Sequence, residues 1–345
     1  MKAVVKTERA YGKIEVSDVP LREVGPGEAL IRVRAAGVCG SDVSIYKYTS
    51  NYSHIPIPIR LGHEYAGVVE QVGPGVTGWK PGERVMGEAI IPCDKCRYCR
   101  TGQWEVCANR RVLGVTEDGT MSEYAVVPET ILHQLPGQLD FTEAVVAQPC
   151  AVAIHGIERT PLGKGGENVA VFGAGIIGLS AALAAREFGA KKVVLFGIDV
   201  DKAIRLPAAR TFGLEAVNLG EEAIEEAARR TTGGADNFDV VLECSGSEQA
   251  FNNGLPLLRN GGTLMEIGMP AEPFTVDMTK AVRKQVNILT SYSANWHSYE
   301  RALQIINSNK EQLAQVVSKY PLEKLVRCFD DSTQKKVLKS VLLFS

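Results

Sequence analysis

The hydrophobic rhythm of the chain changes twice. Up to about residue 140, apolar residues alternate or cluster in short runs broken by Gly and Pro, as in GEALIRVRAAGV, GHEYAGVVEQVGPGV, GERVMGEAI and SEYAVVP. Such runs bounded by turn residues predict strands, so this stretch reads as all-β. Between Asp140 and Arg159, FTEAVVAQPCAVAIHGIER takes up the helical period and predicts one helix leading into a second region. There the segments alternate: NVAVFGAGIIGLSAALAAREFGA reads as strand, turn and helix, and KKVVLFG, FDVVLECSG and GGTLMEIGM read as strands. This order predicts an α/β domain with a parallel, doubly wound sheet. After about residue 287, a helical SYERALQIINSN and a strand-like KVLKSVLLF close the sequence.

At 345 residues the chain exceeds one ordinary core, which predicts two domains. A hydrophobic share of 45% and a charged share of 23% are those of a globular protein. The net charge of −2 gives no electrostatic reason to expect nucleic acid or an anionic membrane as partner. The first residues, MKAVVKTERAYGKIEV, carry charge throughout and read as a strand, not as a leader peptide. No apolar run approaches a membrane span. Eight cysteines without export features fit a reducing compartment, and the expected location is the cytoplasm.

The chemistry begins with Cys93, Cys96, Cys99 and Cys107, a C-x2-C-x2-C-x7-C run. Four thiolates this close suit a tetrahedral metal with a closed shell, which is a structural Zn²⁺ site. A disulfide pair and a four-cysteine iron–sulfur cluster are the alternatives. Further on, Gly173, Gly175 and Gly178 form G-A-G-I-I-G between an apolar strand and an Ala-rich helix. In that setting the three glycines in turn permit a tight turn, close approach of backbone to a pyrophosphate, and tight helix–strand packing. The amides of the first turn, at Ile176 and Ile177, then face the phosphates. The following strand should end in an acid that grips the ribose hydroxyls, yet KKVVLFG ends in Gly197 and the acid, Asp199, is displaced by two positions. Lys202 and Arg205 lie close behind, as partners for a 2′-phosphate or as the solvated face of a helix, so the expected cofactor is NAD or NADP with a lean to NAD.

Upstream, Cys39 in VCGSD with His63 and Glu64 in LGHEYAG offers a thiolate, an imidazole and a carboxylate. These are ligand types for a catalytic Zn²⁺ with an open position. With these residues assembled, the chain resembles the zinc-containing medium-chain dehydrogenase/reductase superfamily over nearly its whole length, with the polyol (sorbitol-like) and threonine dehydrogenase branches nearest. G-H-E-Y-A-G-V-V, the four-cysteine lobe, the G-A-G-I-I-G turn and their order carry the resemblance. It implies a GroES-like catalytic domain made of residues 1–153 and 287–345, with the zinc lobe at about 93–107, and an inserted Rossmann NAD(P)-binding domain at 154–286. It also implies zinc-polarised alcohol oxidation with hydride transfer to the nicotinamide, in a homodimer or homotetramer. By resemblance Cys39 and His63 are catalytic-zinc ligands, and Glu64 ligates the metal or sits beside it. Ser41 passes the substrate proton outward, and Asp42 orients the ligand histidine. Cys244 and Ile267, at the carboxyl ends of two strands, are placed to meet the nicotinamide half through their backbone.

Two departures stand out. Where these branches carry an acid before a proline, this chain has Gln148, a neutral and weaker donor, with Cys150 two positions on. Three arrangements are open: Gln148 bonds a zinc-held water while Glu64 ligates, Cys150 enters as a thiolate ligand, or the site is weakened. Plain packing is the favoured reading of Cys150. Threonine dehydrogenases carry a histidine three positions before the first lobe cysteine, and Ile90 stands there, which argues against threonine. Tyr46, Tyr48, Tyr52, Trp296 and His297 are candidates for lining the substrate cleft or for packing a seam. Cys244 and Cys328 are expected to be inert as side chains. The leading expectation is a zinc- and NAD(P)-dependent dehydrogenase of a polyol or sugar alcohol. The alternatives are a threonine or amino-alcohol dehydrogenase, or a non-catalytic nucleotide-binding protein that lost its metal through Gln148.

Overall fold

The computed structural model describes residues 1–234 and 238–345. They fall into two compact units, Met1–Gln148 with Asn295–Ser345, and Pro149–Ala294. The hand-over points differ from 153 and 286 for local reasons. Pro149 opens the second unit, and the strand Asn287–Thr290 pairs with Leu258–Glu266 in the parallel sheet.

In the first unit the strands run in the order Leu132–Gln134, Arg84–Gly87, Glu64–Val72, Glu28–Gly37, Lys339–Leu343 and Val317–Pro321, with Tyr124–Pro128 also on Glu28–Gly37. The last strand thus shares this sheet with Glu28–Gly37, while the first strand, Lys2–Lys6, pairs with Ile14–Asp18 and Ile59–Arg60 in a separate three-stranded sheet. Ala29, Ile31 and Val33 bury one face in a core with Val69, Val85 and Leu342, while Arg32 on the other face pairs with Glu70 at 3.3 Å. Alternation of this kind fixes the register, because a one-residue slip would turn every apolar side chain outward. The register matters at one end of the sheet. Gly37 pairs with both Glu64 and Val341, so three distant segments meet there.

The expected single helix between Asp140 and Arg159 is two helices, Phe141–Ala144 and Ala147–Glu158. Pro149 explains the break. It has no N–H for the Val145 carbonyl, and its ring would crowd that carbonyl if the first helix ran on.

The second unit holds the doubly wound sheet. Its parallel strands lie in the order Glu215–Asn218, Lys192–Gly197, Asn168–Phe172, Phe238–Glu243, Leu258–Glu266 and Asn287–Thr290. In sequence order this is 3-2-1-4-5-6, with its switch point beside Asn168–Phe172, where a nucleotide is expected. The central strands Asn168–Phe172, Lys192–Gly197 and Phe238–Glu243 are largely apolar and buried, as strands covered on both faces require.

Candidate active site and metal centres

Cys39 is the N-cap of the helix Gly40–Lys47, and its amide donates to Asp42 Oδ2 at 2.9 Å. The helix start therefore fixes Cys39, Ser41 and Asp42 together. His63 and Glu64 enter from the start of the strand Glu64–Val72, after Gly62, which has φ +94°. Cys39 Sγ, a ring nitrogen of His63 and a carboxylate oxygen of Glu64 lie within 4.8 Å of one another. Ser41 Oγ is 3.4 Å from His63 Nε2.

The electrostatics of this group are those of a metal site. Burial lowers the pKa of His63, but the charges of Cys39, Asp42 and Glu64 outweigh burial and leave it at about 10. Burial pushes Asp42 up, partly offset by His63. His63 Nδ1, Glu64 Oε1 and Asp42 Oδ1 are all buried without a hydrogen-bond partner. Orphaned buried acceptors are costly, and a cation held at Glu64 Oε1 would relieve that oxygen. A thiolate, an imidazole and a carboxylate with a position left over fit a catalytic zinc. Asp42 and His63 interact through charge; no hydrogen bond joins Asp42 Oδ1 to the ring.

The four-cysteine lobe fits a closed zinc shell by distance. Cys96 Sγ lies 3.5 Å from Cys99 Sγ and 3.7 Å from Cys107 Sγ, and Cys93 Sγ lies 3.9 Å from Cys99 Sγ. A tetrahedron with a Zn–S distance of about 2.3 Å has edges of about 3.8 Å. A disulfide would need sulfurs at about 2.05 Å. Backbone amides near Cys99 and Ala108 draw Cys96 down to about 6, toward the thiolate a metal needs, while desolvation and neighbouring thiols push Cys99 up to about 12. The short helix Arg97–Arg100, capped by Cys96, folds the loop so that these sulfurs converge.

Gln148 is buried and hydrogen-bonded to the Tyr299 hydroxyl, which also accepts from the Ala89 amide at 3.3 Å. Cys150 belongs to the second unit; burial pushes its thiol up to about 12, and it bonds Ser180. That favours packing over ligation. Tyr46 is buried in the first unit's core, where its hydroxyl donates to Asp330 at 2.9 Å, so it does not line a cleft. Tyr48 caps the helix Gly40–Lys47 in the left-handed region, Tyr52 stacks with His54, and His297 is exposed. Trp296 lies against His133, whose ring nitrogens meet Glu88 at 3.0 Å and Glu300 at 2.6 Å. Ile90 is buried and apolar. Cys328 is wholly buried, and burial pushes it up to about 12.

In the second unit the glycine turn has the shape its spacing requires. Gly173 takes φ +101°, and a Cβ on Gly178 would collide with the Gly173 carbonyl oxygen, while nothing stands within 4 Å of a Cβ on Gly175. The free space lies where a pyrophosphate would approach the first turn of Ile176–Glu187, at Ile176 and Ile177, so the residues fit a dinucleotide. Asp199 is exposed and accepts from Asn218 Nδ2 at 2.8 Å. Lys202 is paired with Glu221 at 2.5 Å and Arg205 with Asp201 at 3.3 Å. Beyond Glu243, the Cys244 amide donates to Phe172 at 2.9 Å and the Ile267 amide to Glu243 at 2.8 Å, so both sit at the carboxyl edge of the sheet. The Glu243 carboxylate accepts from Ser245 and Gly246 and shapes the turn there.

Sequence reasoning missed Lys339, whose Nζ donates to Glu64 Oε2 and to the Val38 carbonyl, the latter at 3.0 Å. Its signal was a buried lysine at the start of the strand Lys339–Leu343, just ahead of the apolar run Val341–Leu343. Among the described residues no helix is long and apolar enough to cross a membrane.

Comparisons with known proteins show the family. A family profile described as "Alcohol dehydrogenase GroES-like domain" matches residues 25–137, and one described as "Zinc-binding dehydrogenase" matches residues 177–308. A sorbitol dehydrogenase of Halalkalibacterium halodurans is 36% identical over 90% of this chain and 89% of its own. An L-threonine 3-dehydrogenase of Rhizobium etli is 36% identical over 85% and 83% respectively. A zinc-binding dehydrogenase of Sinorhizobium meliloti solved with NADP superposes with a TM-score of 0.88 at 27% identity, covering 99% of this chain and 98% of that one. The chain thus belongs to the zinc-containing medium-chain dehydrogenase/reductase superfamily, in its polyol and threonine dehydrogenase branch, and is a zinc- and NAD(P)-dependent alcohol oxidoreductase with a GroES-like domain and a Rossmann-type sheet.

Proposed function

We propose that the enzyme oxidises a secondary alcohol of a polyol or sugar to the ketone, with NAD preferred over NADP. The observation that carries the reading is the convergence of Cys39, His63 and Glu64 around buried, unpartnered donor atoms, with Ser41 beside His63. Cys39, His63 and Glu64 would hold the catalytic zinc; Cys93, Cys96, Cys99 and Cys107 the structural one. A zinc held there would supply Lewis acidity at the alcohol oxygen, and a bound nicotinamide would supply the hydride acceptor. Ser41 Oγ takes the alcohol proton and passes it outward. Asp42 steadies the helix start that carries Cys39 and adds negative charge beside His63. Gln148, a neutral group, is held by the Tyr299 hydroxyl.

Several features support this substrate and cofactor. A buried isoleucine at position 90 removes the histidine on which the threonine reading leans. The cations that follow Asp199 in sequence, Lys202 and Arg205, are both paired with carboxylates, whereas Asp199 keeps an exposed carboxylate for ribose hydroxyls. A second reading, oxidation of threonine or another amino alcohol, is favoured by the relative of equal identity that carries that name. A panel of sugar alcohols, vicinal diols and L-threonine, run with NAD and with NADP, separates the readings. Cofactor reduction with polyols and NAD is the expected result. Turnover with threonine alone would reverse the assignment, and cofactor binding with no turnover would favour a non-catalytic role.

A further inference from the structure

The orphan Glu64 Oε1 has a counterpart that is not orphaned. Glu64 Oε2 is held by Lys339, a residue 275 positions away in sequence, which is 2% exposed and also donates to the Val38 carbonyl at 3.0 Å. The sheet register sets up this contact. Gly37 pairs with Glu64 on one side and with Val341 on the other, so the strand Glu28–Gly37 ends between the two side chains. A Cβ at residue 37 would collide with Glu64 Oε2 and come within 2.9 Å of Lys339 Cε, so only glycine leaves room for the pair. A buried cation with two fixed acceptors is expensive to place and has few alternatives once placed.

We propose that Lys339 is a positioning residue that keeps one oxygen of Glu64 away from the catalytic metal, leaving Oε1 as its single metal-facing oxygen and a coordination position open for substrate. The inference rests on the proposed reading of Cys39, His63 and Glu64 as the catalytic zinc site. The physical reason is twofold. A carboxylate free at both oxygens chelates a cation and fills its shell, and a cation fixed beside the carboxylate repels the metal and weakens the donor. Lys339 opposes the chelation and supplies the repulsion, so the site gives up metal affinity and keeps its Lewis acidity.

The test compares wild type with K339M and K339R, each as the full chain loaded with zinc and, separately, with cobalt. Wild type should hold two zinc per chain, and C39A one. If wild type holds only one and C39A leaves it unchanged, the zinc reading itself fails. Given two, K339M should lose its second zinc to chelator at least fivefold more slowly than wild type. Its cobalt d–d bands should weaken as the coordination number rises, and kcat should fall at least tenfold with a smaller change in KM. K339R, which keeps the cation, should return zinc retention and the cobalt spectrum toward wild type. Zinc loss from K339M at the wild-type rate or faster, with an unchanged cobalt spectrum, would overturn the proposal. If K339M does not fold, K339Q keeps a donor for the Val38 carbonyl without the charge and gives the same comparison.

Discussion

At the scale of single residues, the chemistry rests on groups whose environment decides their state. His63 in the metal-free protein is held near a pKa of about 10, because neighbouring negative charges outweigh the lowering by burial. Metal needs the neutral ring, so below that value each zinc bound must displace a proton. Zinc affinity at this site should therefore rise with pH across the neutral range, by about tenfold per unit for each proton displaced. Competition against a chelator at pH 6, 7 and 8 measures it, and a flat profile would mean the ring is already neutral. Gln148 invites a second measurement. Gln148→Glu places a carboxylate beside the Tyr299 hydroxyl, and should slow zinc loss by about tenfold, the size of effect that groups supporting a metal's ligands commonly have. An unchanged rate would mean that position 148 serves Tyr299 alone. Of these residues, Cys39, His63 and Glu64 were legible in sequence because their motifs are local. Lys339 was not, because its partner is 275 positions away.

At the scale of elements, two short devices position the sites. One is the helix start that fixes Cys39 through Asp42; the other is the glycine turn before Ile176–Glu187. The turn separates folding from binding at neighbouring glycines. Gly178→Ala drives a Cβ into the Gly173 carbonyl and should cost about 3 kcal/mol of stability, read as a lower denaturant midpoint. Gly175→Ala meets no protein atom, so it should fold normally yet weaken NAD binding at least about tenfold, read by calorimetry. Equal effects of the two variants would refute the division of roles. The strands and the glycine turn were readable from periodicity and spacing. The break between Phe141–Ala144 and Ala147–Glu158 was missed because the apolar period runs straight through Pro149, and periodicity carries no account of a missing N–H.

At the scale of the whole molecule, the four-cysteine lobe is a loop closed by its own sulfurs. Its folding should depend on metal, since a preformed thiolate site rarely survives without one. Removing the structural zinc, or making Cys96→Ser, should speed tryptic cutting after the exposed Lys95, Arg97 and Arg100 by about tenfold or more. Cutting at the wild-type rate would mean the lobe stands without its metal. Sequence alone determined what local spacing encodes: the four-thiol cluster, the strand–glycine–helix turn, the strand and helix periods, and the Cys39 and His63–Glu64 motifs. Those are set by backbone geometry and ligand chemistry within a few residues. Only the tertiary structure decided that the last strand lies beside the first long one, that Gly37 makes room between them, and that Lys339 grips Glu64. Such contacts depend on sheet register between the two ends of the chain, and no spacing along the sequence records it.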